Sequence, residues 1–114
     1  MSWFGSNNNV TTMLQAKIGE MNQSINSIET ILNRDKGITM SNLQSVAAVM
    51  QKMETLQSEI QSLLEQLSAS QIGNLRVNWI DGRSLSFQMW EGSFRLVAQQ
   101  IHAEIERFER THNF

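Results

Sequence analysis

The chain of 114 residues contains no cysteine and no proline. Without cysteine there is no disulfide, no thiolate nucleophile and no cysteine-based zinc or iron–sulfur site. The redox character of its compartment is therefore not written in the sequence. No run of about 18 apolar residues occurs, so no segment is expected to cross a membrane as a helix. Histidine is nearly missing, with only His102 and His112. Two histidines on one terminal segment cannot be arranged into a Ser/His/Asp constellation. Aromatic residues make up 7% and charged residues 18% of the chain.

An excess of either charge is also lacking. Nine basic and eleven acidic side chains leave a net charge of −2. Residues 1–73 hold four basic and six acidic groups, and residues 74–114 hold five of each. Neither part has the cationic surplus that neutralising phosphates requires, so nucleic acid is not an expected partner. The six glycines are scattered at 5, 19, 37, 73, 82 and 92, and build no phosphate-cradling loop. Met1-Ser2-Trp3-Phe4-Gly5 has neither the basic start nor the apolar stretch of a signal peptide. The general secretory route is thus not expected, which leaves a cytoplasmic location, a particle or a specialised export route.

What the chain has is neutral polarity and periodic apolar residues. Ser, Asn and Gln number 13, 10 and 11. A surface wetted by amides and hydroxyls steers charged partners weakly and responds little to salt. That suits a protein held in an assembly by packing. Residues 1–9 read as an N-terminal arm, because Asn and Ser compete with the helix backbone for hydrogen bonds. Trp3 and Phe4 within it are candidate anchors for a partner, or else a cover for the near end of the chain's own core.

Residues 10–70 read as a coiled-coil helical region. Leu14, Ile18, Met21, Ile25, Ile28 and Leu32 are spaced 4, 3, 4, 3, 4, a heptad seam. A second seam, Val46, Val49, Met53, Leu56, Ile60, Leu63 and Leu67, is spaced 3, 4, 3, 4, 3, 4. Leu43, Ala47, Met50 and Leu64 widen its apolar arc beyond one two-stranded contact. Met21, Met50 and Met53 stand where leucines would fill a coiled coil. These thirteen seam residues are the candidate interface.

Between the seams, Arg34-Asp35-Lys36-Gly37 reads as a helix end. Thr39 is placed to cap a second helix, with Ile38 and Leu43 as a hydrophobic staple. That predicts antiparallel neighbours joined by a short loop. A competing pattern is also present. Leu32 and Val46 are 14 residues apart, two whole heptads, so one continuous helix of roughly 90 Å is the alternative.

Residues 71–114 read as a β-hairpin followed by a closing helix. Leu75, Val77 and Trp79 alternate with polar residues, as do Leu85, Phe87 and Met89, with Asp81-Gly82 between the runs. A two-residue turn would put the two apolar sets on opposite faces. A three-residue loop, Ile80-Asp81-Gly82, pairs Trp79 with Arg83, Val77 with Leu85 and Leu75 with Phe87. It thereby unites the apolar set and predicts a type I turn with a G1 bulge and a left-handed Gly82. The closing helix is expected to start near Gly92-Ser93. Its apolar stripe is Phe94, Val97, Ala98, Ile101, Ile105 and Phe108.

Few residues carry candidate chemistry. His102 and Glu106 share a helix face at a metal-compatible spacing, but no second histidine joins them and the pattern is not His-Glu-x-x-His. A Glu106–Arg110 ion pair is the plainer expectation. Neither metal nor cofactor is expected, and the paired carboxylates at Glu104/Glu106 and Glu54/Glu59 fall on faces expected to be solvated.

Trp90-Glu91-Gly92 resembles the Trp-x-Gly turn of WXG-type proteins, small helical hairpins exported by type VII secretion systems. The resemblance covers three residues. In that family the motif lies between two long helices, whereas here it follows an expected strand, and no C-terminal Tyr-x-x-x-Asp/Glu motif is present. It implies a secreted helper or adaptor pairing with a different protein.

The sequence thus predicts a mainly α (α+β) fold: two long heptad-patterned helices, as a helical hairpin or a continuous coiled coil, then a β-hairpin and a closing helix. The expected function is non-enzymatic and structural, by coiled-coil self-association as a homo-oligomer or by docking with protein partners in a larger complex. A WXG-like adaptor and a small ligand-binding domain are the alternatives.

Overall fold

A computed structural model describes residues 3–112, with side chains from residue 9 onward. Its elements are α1 (Trp3–Asp35), α2 (Leu43–Leu64), α3 (Ala69–Gly73), β1 (Arg76–Asn78), β2 (Ser84–Ser86) and α4 (Phe87–Thr111). The expected architecture of two long helices, a hairpin and a closing helix is present.

The helical break is settled in favour of the short loop. Gly37 N–H donates to Leu32 C=O at 2.9 Å. Lys36 at φ 59° and Gly37 at φ 120° carry the chain out of α1, as in a Schellman ending. Only glycine adopts such angles without a Cβ penalty, so Lys36 is held there against its preference.

Thr39 then opens the second helix. Its Oγ1 accepts from Asn42 N–H at 3.1 Å, and Asn42 Oδ1 accepts from Thr39 N–H at 2.9 Å. This is the reciprocal logic of a capping box, with regular helix beginning at Leu43.

α1 and α2 fold back on one another. Val10, Leu14, Ile18, Met21, Ile25 and Ile28 from α1 are buried with Val46, Met50, Met53, Leu56, Ile60 and Leu63 from α2. The Lys17–Glu59 ion pair at 3.3 Å bridges the two helices and marks their register.

Thirty-three residues at about 1.5 Å each make α1 about 50 Å long. The described molecule measures 56 × 25 × 19 Å. Its radius of gyration is 16.3 Å, against about 13 Å for a compact domain of this length. The protein is an elongated body.

Two boundaries differ from the sequence reading. α1 begins at Trp3, so the stretch expected as an arm is helical from that residue. Elongation fixes one residue per added hydrogen bond, and no proline between Trp3 and Val10 interrupts it. At the other end α2 stops at Leu64, and the chain turns before α3. Ser68 and Gln71 cap α3 reciprocally, Gln71 N–H to Ser68 Oγ at 3.1 Å and Ser68 N–H to Gln71 Oε1 at 2.8 Å. Leu67 therefore lies beyond the second helix, half-buried against the core.

The hairpin has the register the apolar pattern requires. Val77 opposes Leu85, flanked by Arg76–Ser86 and Asn78–Ser84. Trp79 N–H donates to Arg83 C=O at 2.8 Å, and Gly82 N–H donates to Trp79 C=O at 2.9 Å. With Gly82 at φ 90°, this is the three-residue loop with its bulge. Phe87 N–H reaches Leu75 C=O at 3.1 Å and completes the predicted pairs.

The closing helix starts earlier than Gly92-Ser93. β2 ends at Ser86, whose Oγ accepts from Met89 N–H at 3.2 Å, an N-cap for α4. Phe87, Trp90 and Phe94, spaced 3 and 4, fall on one buried helical face. Met89, expected inside a strand, is instead a helical residue with 61% exposure. Three buried aromatics outweigh two further residues of strand pairing at an open edge. The Trp90-Glu91-Gly92 motif consequently lies inside α4 and makes no turn.

Candidate functional site

The seam residues come together inside one chain. Leu14, Ile18, Met21, Ile25 and Ile28 are buried, as are Val46, Met53, Leu56, Ile60 and Leu63. Leu32, Val49 and Leu67 are half-buried against them. Met50, beside the second seam, is buried more completely than Val49, because the α1 contact curves round the helix at nearer 3.6 than 3.5 residues per turn. The side chains of Trp3 and Phe4 lie outside the described residues.

Two asparagines, neither singled out in the sequence, connect these elements. Asn22 is 9% exposed. Its Nδ2 donates to Asn78 C=O at 2.6 Å, and its Oδ1 accepts from Trp90 Nε1 at 2.9 Å. One amide therefore ties α1 to both the hairpin and α4. Asn42, 4% exposed, donates through Nδ2 to Asp35 Oδ2 at 2.9 Å and Gly37 C=O at 3.0 Å. It fastens the loop to the end of α1. The one signal available in the sequence was position: Asn22 adjoins Met21 on the seam side of α1, where an amide needs partners.

Side chains occupy several outward carbonyls of the two strands. Gln15 Nε2 donates to Arg76 C=O at 3.1 Å, and with Asn22 it occupies outward carbonyls of β1. On β2, Arg76 reaches Ser84 with Nη2 to C=O at 3.1 Å and Nε to Oγ at 3.2 Å. Carbonyls satisfied in this way offer little to an incoming strand.

Charge is local in origin. Asp35 accepts from Arg34 and Asn42, which together hold its carboxyl at about 2, below the ordinary 3.8. Arg34 is raised in turn by its hydrogen bonds to Asp35. Asp81 is lowered first by the Arg83 backbone N–H and then by the Arg83 side chain. Each of these shifts arises within a turn. Among the described residues no three His, Cys, Asp or Glu side chains gather as metal ligands. His102 and Glu106 are exposed. Near the end of α4 the observed ion pair joins Arg107 to Glu104 at 3.1 Å, in place of the expected Glu106–Arg110.

Grooves flank α4 on both sides. One of about 480 Å³ opens between the end of α1 and α4, with Leu32, Val97 and Ile101 beneath Glu29, Lys36 and Arg107. A smaller one of about 170 Å³ lies toward α2 over Met21, Ile60, Phe87, Trp90 and Phe94. Outside both, Met89 and Leu96 are 61% and 64% exposed, seven residues apart on one face of the helix. No helix among the described residues is long and apolar enough to cross a membrane. Neither a family model, nor a curated protein, nor a solved structure matches the chain.

Proposed function

We propose that this protein is a non-enzymatic structural component that works by associating with further copies of itself. The carrying observation is its shape together with an unburied apolar face: a body 56 Å long whose seams are spent on each other inside the chain, while α4 leaves Met89 and Leu96 exposed. An elongated, well-filled helical pair serves as a strut or connector. A catalyst would instead need polar groups converging on a pocket.

The surface supports the same reading. Thirty-four neutral polar side chains and a net charge of −2 let like surfaces approach with little repulsion. Met89 and Leu96 give α4 an exposed apolar face of its own.

Light scattering across a wide range of protein concentration tests this. The expected result is a mass above that of the monomer that grows with concentration, with a melting temperature that rises alongside it. A single 13.0 kDa species at every concentration overturns the reading.

A further inference from the structure

The register of the helical pair has a midpoint. Lys17 meets Glu59, and the two numbers sum to 76. The centre of the antiparallel contact therefore falls near residue 38, within the loop that joins the helices. The same loop preserves helical phase, because Leu32 and Val46 are separated by 14 residues, two full heptads.

Straightening residues 36–42 into helix would thus merge both apolar stripes into one continuous stripe, symmetric about its centre. Two such chains laid antiparallel place the α1 of one copy on the α2 of the other in the register of the closed chain. Lys17 then meets Glu59 of the second copy.

The rest of the fold permits this exchange. Beyond the bonds of its last turn to the loop itself, α1 holds groups that come after the loop: the α2 seam, Arg76 and Asn78 of β1, and Trp90 of α4. α1 can leave as one unit and be replaced by the α1 of a second copy without loss of any of these contacts. No proline stands anywhere in the chain to forbid a straight helix.

What differs between the two arrangements is the loop. The closed form needs Lys36 at φ 59° and Gly37 at φ 120°, neither of which is helical. It is fastened by the Asn42 side chain on Asp35 and Gly37.

We propose that α1 is an exchangeable element: with the Asn42 fastening released, two copies of this chain form an antiparallel dimer in which each α1 packs on residues 43–114 of the other. Exchange of an identical element is a low-cost route to a dimer because the contacts are already optimised. The inference rests on the self-association reading above and gives it a specific partner and a specific moving part.

The test uses K17C/E59C, in a chain with no other cysteine, joined by a short bis-maleimide linker. In the closed monomer the link forms within one chain. Adding Gly37→Ala and Asn42→Ala disfavours the positive φ and removes the fastening. The expected result is a mass doubled from 13.0 kDa and a link that now joins two chains on a denaturing gel.

A doubled mass with links only within chains overturns the exchange while leaving self-association standing. A folded variant that remains at 13.0 kDa, with links only within chains, overturns the exchange as well. Should the loop variant fail to fold, K17C/E59C alone is refolded from denaturant at rising concentration. The between-chain product should then increase with concentration, and its absence throughout overturns the proposal.

Discussion

The indole Nε1 of Trp90 donates to Oδ1 of Asn22 at 2.9 Å, linking residues 68 positions apart. The same amide donates to the Asn78 carbonyl. Asn22 is therefore the point where α1, the hairpin and α4 are fixed to one another. Among the described residues no buried side-chain nitrogen or oxygen lacks a partner.

Replacing Asn22 with Leu leaves the Trp90 N–H and the Asn78 carbonyl without partners. A loss of about 1–3 kcal/mol is expected for such stranded groups. Chemical denaturation measures it, with Asn26→Leu on the exposed side of α1 as the control. The control should stay within about 0.5 kcal/mol of the parent.

The seam and the outer face of α4 should respond unequally to truncation. Ile25 is fully buried, and Ile25→Ala is expected to lose about 2–5 kcal/mol through transfer and cavity terms. Leu96→Ala removes a side chain that is 64% exposed and should change monomer stability by no more than about 0.5 kcal/mol. Equal losses in thermal or urea unfolding would contradict the assignment of interior and surface.

Three glycines are expected to divide by backbone angle. Gly19 and Gly92 lie within helices, and an added Cβ at either meets nothing within 4 Å. Ala at each should stabilise by up to about 1 kcal/mol. Gly82 has equally open space but sits at φ 90°, so Gly82→Ala should destabilise. Melting temperatures of the three single variants decide the matter.

Acid should loosen the loop. The Asp35 carboxyl lies at about 2 in the folded chain, against an ordinary 3.8, held there by Arg34 and Asn42. A carboxylate depressed by folding binds its proton more readily in the unfolded chain. Its stabilising contribution is therefore complete above the unfolded value and is lost as pH falls from about 4 toward 2. Unfolding followed across that window should show stability declining with acidity, and Asp35→Asn should flatten part of the decline. An unchanged profile would remove Asp35 as a contributor.

Much of this architecture is readable along the chain. The spacing of Leu14 to Ile28 and of Val46 to Leu63 determined two amphipathic helices, because burial rewards a stripe of constant phase. Asp81-Gly82, with the alternation on either side, determined the hairpin register, since a slip of one residue would turn Val77 or Leu85 outward. Less legible was the start of α4. Leu85, Phe87 and Met89 alternate like a strand, while Phe87, Trp90 and Phe94 repeat like a helix. The Ser86 cap and the aromatic face that fills the space over α1 decide between them.

Local pattern thus fixed the two long amphipathic helices and the hairpin register, since both follow from periods of a few residues. Gly37 and Thr39 already pointed to a break between Leu32 and Val46; tertiary structure decided against the continuous helix and decided what Asn22 does. Those outcomes depend on groups distant in sequence meeting in a dry interior, where an amide must find partners and a stripe must find its mate.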